Sequence, residues 1–112
     1  MELSDEGRDY FPRLYVTENG AAFDDVAEPA TGPADDRRID YLSSHIDATL
    51  AARQSGVPVD GYFVWSFLDN LEWIEGFSQR FGLVWVDEET RQRIPKDSYY
   101  WYRDRIRDIE SG

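Results

Sequence analysis

No cysteine occurs among the 112 residues, which excludes disulfides and thiolate metal sites and leaves the composition compatible with a reducing compartment. Long apolar runs are missing too: none approaches the roughly 20 residues that span a bilayer. Positive charge is scarce, with 12 Lys and Arg against 23 Asp and Glu, and the formal net charge of −11 repels phosphate backbones and anionic lipid headgroups. No basic cluster longer than Arg37-Arg38 offsets it. Nucleic acid and membrane surfaces are therefore not expected partners, and the scattered acids read as a solvated surface rather than an acidic interaction tail. The opening residues, Met1-Glu2-Leu3-Ser4-Asp5-Glu6, carry acids where a secretory signal would have a basic and then apolar stretch. A cytoplasmic location is expected.

What is abundant is aromatic surface: four Trp, seven Tyr and six Phe in a chain that is 41% hydrophobic. The length suits at most one small domain, and so many rings predict a binding face as well as a core.

The segment Leu14-Tyr15-Val16-Thr17-Glu18-Asn19-Gly20 reads as a strand, expected at about residues 13–17, that ends on a carboxylate. Glu is a poor strand residue and Asn-Gly a strong turn signal, so Glu18 is expected at a rim where a ligand can be met. A strand-ending acid that only faces water is the alternative. Residues 21–34, with Pro29, Gly32 and Pro33, form a loop. A helix over about residues 36–55 follows, capped by Asp35 or Asp36, with Ile39, Leu42, Ile46 and Leu50 on one buried stripe and Gly56 as its stop. Gly61-Tyr62-Phe63-Val64-Trp65-Ser66-Phe67 is continuously apolar and predicts a strand covered on both faces, at about residues 61–66. Strand, helix and strand make one βαβ unit, expected to be right-handed. The long excursion over residues 68–97 is rich in Trp and Phe, and loops of that length are usually functional. Within it, residues 81–86 and 90–94 flank Asp87-Glu88-Glu89 as a short hairpin. A second helix from Ser98 to about Ile109 sets Tyr102, Ile106 and Ile109 on one stripe.

In parallel α/β folds, sites gather at the carboxyl ends of the strands, so Glu18 and the aromatic excursion should be neighbours. Trp65, Trp73 and Phe81 offer flat apolar faces, with Glu72 and Asp69 as nearby acceptors. A carboxylate can take two vicinal hydroxyls while a ring stacks on the C–H face of a pyranose, so the combination suits a sugar. Filling a core is the competing role for each ring. Asp69-Asn70 is expected to cap a turn, without chemistry, and His45, on the flank of the helical stripe, to be an ordinary half-exposed histidine. Retaining glycoside hydrolysis needs two carboxyl groups about 5–5.5 Å apart, and Glu18 and Glu72 form a formal pair.

The motifs Tyr15-Val16-Thr17-Glu18-Asn19-Gly20, Trp65-Ser66-Phe67-Leu68-Asp69-Asn70-Leu71-Glu72-Trp73, Arg80-Phe81-Gly82-Leu83-Val84 and Arg93-Ile94-Pro95-Lys96 stand in an order that resembles the carboxy-terminal portion of glycoside hydrolase family one, the β-glucosidase family. The resemblance implies an α/β fold, about strands seven and eight with their helices of a (β/α)8 TIM barrel, with residues 1–112 a fragment of that catalytic domain and incomplete as an isolated chain. It implies Glu18 as the catalytic nucleophile, and Trp65, Glu72, Trp73 and Phe81 as substrate-binding residues of the glycone pocket. Glu72 is then a ligand holder and not the second catalytic acid. The retained Glu72-Trp73 pair favours an unphosphorylated β-glucoside or a short β-linked oligosaccharide. No cofactor and no metal are implied.

The sequence departs from the family by absence: it holds no Asn-Glu-Pro motif, which carries the acid/base, nor the upstream Gln, His, Trp, Asn and Tyr of the site. Two strands cut from a barrel leave unpaired edges and an apolar face that the missing amino-terminal part of the barrel would cover. The isolated chain is therefore expected to be marginally stable and inactive. The alternative is a non-catalytic sugar-binding or structural remnant of the family.

Overall fold

The computed structural model describes residues 12–25, 34–71 and 79–111. The order is β1 (Leu14–Asn19), α1 (Asp36–Gln54), β2 (Val59–Val64), β3 (Val84–Val86), β4 (Arg93–Pro95) and α2 (Asp97–Ser111). β1 and β2 pair in parallel with α1 between them in sequence, and β3 and β4 pair antiparallel.

The stripe expected on α1 is its buried side: Leu42 and Ile46 are buried and Ile39 and Leu50 half-buried. The helix stops at Gly56, whose φ of 107° needs a residue without Cβ. There the N–H of Gly56 donates to the Arg53 carbonyl and that of Val57 to the Ala52 carbonyl, each at 3.1 Å, the paired bonds of a Schellman ending. Its beginning differs from the expectation. Asp35 is the N-cap residue, but its side chain makes no cap bond to α1. The carboxylate turns instead to Arg38 and to α2, accepting from the Ser98 N–H at 2.8 Å and the Ser98 hydroxyl at 2.5 Å. A buried guanidinium and a second helix start compete for the same two oxygens, and they win.

Both strands of the parallel pair run slightly differently from expectation, β1 reaching Asn19 and β2 starting at Val59. Helix α1 touches β2 and α2 on one side of the sheet. The opposite face is open: Tyr15 is 56% and Phe63 55% exposed. The apolar run of β2 is thus covered on one face only, because two strands and two helices supply a single covering layer. The tyrosine and isoleucine stripe of α2 is likewise partly bare, with Ile106 exposed.

The β3–β4 hairpin overlaps the expected one, β3 lying within residues 81–86 and β4 running one residue past 94, to Pro95. Its turn is set by Asp87, whose Oδ1 accepts the N–H groups of Glu89 and Thr90 at 2.9 and 2.8 Å. Those bonds, Thr90 first, hold the Asp87 carboxyl below its usual range. A bridge from Leu68 to Val84 extends the parallel direction beyond β2 into this hairpin, and a second bridge ties Phe23 to Arg80. The small core beneath consists of Leu83, Val84 and Val86. Among the described residues, no helix is long and apolar enough to cross a membrane.

Candidate active site

The position of Glu18 follows from one extra residue. Val16 pairs with Tyr62 and Asn19 with Val64, so β1 advances three residues where β2 advances two. An odd insertion exchanges the two faces of a strand. Val16 and Asn19 therefore share the helix side of the sheet with Tyr62 and Val64, and Glu18, which alternates with Asn19, stands on the open face, exposed. Without the insertion, Glu18 would have pointed into the helix layer.

The next residues lock the two strand ends together. The Trp65 N–H donates to the Asn19 carbonyl at 2.9 Å. A Cβ on Gly20 would lie 1.7 Å from the Trp65 carbonyl oxygen, so only glycine lets the backbones meet. The Trp65–Ser66 peptide is cis. Trp65, the residue after β2, is 40% exposed. The Ser66 N–H then donates to the Phe81 carbonyl at 3.3 Å, which brings the Phe81 segment beside the same strand end. Glu18, Trp65 and Phe81 thus lie on three segments joined at one end of the sheet. Glu72 and Trp73 lie outside the described residues.

Behind these segments is a buried ionic cluster. Asp69 accepts from Lys96 Nζ at 2.8 Å, Arg80 Nη1 at 2.9 Å and the Gly82 N–H at 3.0 Å. Lys96 Nζ also donates to Asp25 at 2.6 Å. Arg38 bridges Asp25 and Asp35, both at 2.7 Å, and donates to the Arg80 carbonyl at 2.6 Å. Three acids face three cations, and the side chains of Lys96 and Asp69 keep 0% of their surface. Balance of that kind is what makes such burial tolerable, since an unpaired charge there would be strongly penalised. The expectation that Asp69 merely caps a turn is therefore corrected: it is the acceptor on which the loop after β2, the Phe81 segment and the start of α2 converge. Asn70 does hold the local turn, donating to the Ser66 hydroxyl and the Leu68 carbonyl, each at 3.0 Å.

Sequence reasoning missed Asp25, Arg38, Arg80 and Lys96 as one unit, because all the cluster's links but the Arg38–Asp35 pair join residues 11 to 71 positions apart, a spacing that no local pattern marks. Lys96, the chain's only lysine, sat in a motif already noticed. Also missed was a polar chain on the helix side: the Tyr62 hydroxyl donates to Asn19 Oδ1 at 2.5 Å, and Asn19 Nδ2 donates to the Tyr41 hydroxyl at 3.3 Å. Burial, with Tyr102 and Tyr41 nearby, pushes the Tyr62 phenol well above its ordinary value. His45 is half-exposed, as expected, and stacks on Tyr41, with ring centroids 3.8 Å apart. Two cavities, of about 430 and 440 Å³, lie against α2. Neither is lined by Glu18, Trp65 or Phe81.

The profile of Glycosyl hydrolase family 1 matches residues 3–110. The chain belongs to glycosyl hydrolase family 1. It is 56% identical over 96 residues to Beta-glucosidase A of Thermotoga maritima, covering 86% of this chain and 22% of that relative. A 6-phospho-beta-galactosidase of Leptotrichia buccalis is 42% identical over 104 residues, covering 91% of this chain and 22% of the relative. The solved β-glucosidase of Thermotoga maritima in complex with glucoimidazole superposes with a TM-score of 0.83 at 54% identity, over 89% of this chain and 23% of that one. The chain thus spans between a fifth and a quarter of the length of these relatives. Family 1 enzymes of this kind are (β/α)8 barrels, and the two parallel strands with their two helices are a piece of that architecture, not a closed barrel.

Proposed function

We propose that this chain supplies the nucleophile side of a retaining β-glucosidase-type site, as the carboxy-terminal part of one (β/α)8 catalytic domain to which residues 1–112 belong. The Glu18 carboxylate attacks the anomeric carbon, the bond to the leaving oxygen breaks as an acid from the rest of the barrel protonates it, and water then hydrolyses the glycosyl ester. Trp65 and Phe81 form apolar walls of the sugar site, and Glu72 and Trp73 hold its outer hydroxyls. The reading is carried by one observation: the extra residue in β1, after which Glu18 stands on the open face at the strand end to which Trp65 is bonded. Further support comes from the family and from the Glu72-Trp73 pair in the sequence, which favours unphosphorylated β-glucosides and short β-linked oligosaccharides.

The partner in this proposal is the amino-terminal part of a family 1 barrel, which contributes the acid/base and covers Tyr15 and Phe63. Alone, the chain lacks the general acid, whose loss typically costs about 10²–10⁴-fold in rate, and it is expected to hydrolyse no aryl glucoside measurably. A cytoplasmic location belongs to the same proposal, supported by the cysteine-free, acidic composition; cell fractionation tests it.

The whole chain is joined to the amino-terminal portion of the Thermotoga maritima β-glucosidase, treated with a 2-deoxy-2-fluoro glucoside and digested for peptide mass spectrometry. The expected result is hydrolysis restored and the label on Glu18. A label on Glu72, or on no residue of an active chimera, overturns the assignment.

A further inference from the structure

Between Val16 and Asn19 the strand that carries Glu18 is out of step with β2, so no paired residue on β2 fixes Thr17 or Glu18. The strand end is held one residue later. Asn19 is bound at three points: its carbonyl takes the Trp65 N–H at 2.9 Å, its Oδ1 the Tyr62 hydroxyl at 2.5 Å, and its Nδ2 reaches the Tyr41 hydroxyl at 3.3 Å. Tyr62 comes from β2 and Tyr41 from α1, so the side chain of Asn19 joins the strand to both neighbouring layers.

We propose that Tyr62, with Tyr41 behind it, is a positioning residue for Glu18, acting through the side chain of Asn19. The inference rests on the reading of Glu18 as nucleophile. Adjacent residues of a strand point to opposite faces, so rotation of the strand end about its axis turns Asn19 and Glu18 together. A side chain tethered on the helix side thereby fixes the direction of its neighbour on the open side. The buried tyrosine hydroxyl suits the task, because it remains a protonated donor throughout the ordinary pH range. Tyr41 makes the longer bond and is the weaker of the two tethers. Both hydroxyls meet the Asn19 side chain, so the tether acts on the strand end through that residue.

The test uses the whole chain joined to the Thermotoga maritima amino-terminal portion, with the rate constant and the affinity of inactivation by the 2-deoxy-2-fluoro glucoside measured separately. If the unsubstituted chimera is not labelled on Glu18, the functional reading fails before the tether is tested. Given that label, Tyr62→Phe is expected to slow inactivation by about tenfold, since a misplacement of about 1 Å can cost about 100-fold, with affinity for the inactivator unchanged. Tyr41→Phe is expected to slow it in the same way by a smaller factor. Partial misfolding would lower the fraction labelled and leave the rate of the folded fraction as it was. A Tyr62→Phe chimera whose labelled fraction reacts at the unsubstituted rate overturns the proposal, as does a loss confined to affinity.

Discussion

In the ionic cluster, the side chains of Lys96 and Asp69 keep 0% of their surface and those of Arg38 and Asp35 keep 1% each, whereas on the open face of the sheet Tyr15 keeps 56% and Phe63 55%. Charge is inside and aromatic surface outside, the reverse of the usual arrangement. The two regions answer different questions. The cluster joins segments around residues 25, 38, 69, 80 and 96, so it fixes which loops meet, and its desolvation is offset only by complete pairing. The open face fixes nothing within the described residues. It is apolar surface backed by one covering layer, and it gains stability when something else buries it.

Removing one member of the cluster should have the largest effect of any change considered. Lys96→Met leaves Asp25 and Asp69 each short of an ammonium, while Arg38 and Arg80 still hold one oxygen of each. Breaking a buried pair in this way typically costs about 3–5 kcal/mol, which is comparable to the whole stability of a chain this small. The expected result is loss of a cooperative urea transition, followed by circular dichroism. Asp24→Asn, which breaks the exposed Arg37 pair, should leave the transition where it was. Equal effects from the two substitutions would show that the cluster is no more than a surface network.

The same contrast decides what could be read from sequence. Both helices, both parallel strands and the hairpin were legible, because local periodicity and turn residues encode them: Leu42 and Ile46 at helical spacing, Gly56 as a stop, Asp87 at a turn. Glu18 was legible as a strand-ending acid. Its direction was not, since a one-residue offset between strands leaves no mark on either strand alone. Asn19-Gly20 looked like a turn signal and is in fact the meeting point of two backbones. Asp35 looked like the cap of the helix it precedes and caps the other one. Each of these depends on a partner from another element: Trp65 for Gly20, Ser98 for Asp35, Tyr62 for Asn19. The pairing of Lys96 with Asp69 is of the same kind, so charge inside was invisible where apolar stripes were plain.

A smaller effect should appear at high pH on the helix side of the sheet. Burial raises the phenols of both Tyr62 and Tyr102 above the ordinary 10.0. The folded chain thus favours the neutral phenols. Their contribution to stability is complete below the unfolded value near pH 10 and is lost as pH rises towards the higher folded values. Urea midpoints followed upward from about pH 9 should fall, and fall less in Tyr62→Phe. If the midpoints of Tyr62→Phe fall as far as those of the unsubstituted chain, the helix layer does not seal its side of the sheet, and the contrast between the two faces is lost.

The smallest expected effect is on the open face itself, and it is the one that most directly tests whether that face is bare. Phe63 lies mid-strand on β2, 55% exposed. Thr has comparable strand propensity, so Phe63→Thr keeps the backbone preference and removes only the ring. With about half of the ring already in water, the loss should stay below about 1.5 kcal/mol, half the upper value for full burial of such a side chain. The urea midpoint of the isolated chain should therefore move little. In the proposed barrel, the same ring is covered by the amino-terminal part, so the substitution should weaken co-purification of the chain with that part expressed separately. A large loss of stability in the isolated chain would mean that the ring is already buried there, and the face could no longer be read as surface awaiting a partner. Unchanged stability together with weakened co-purification would place the energetic role of Phe63 in docking rather than in the fold of these residues.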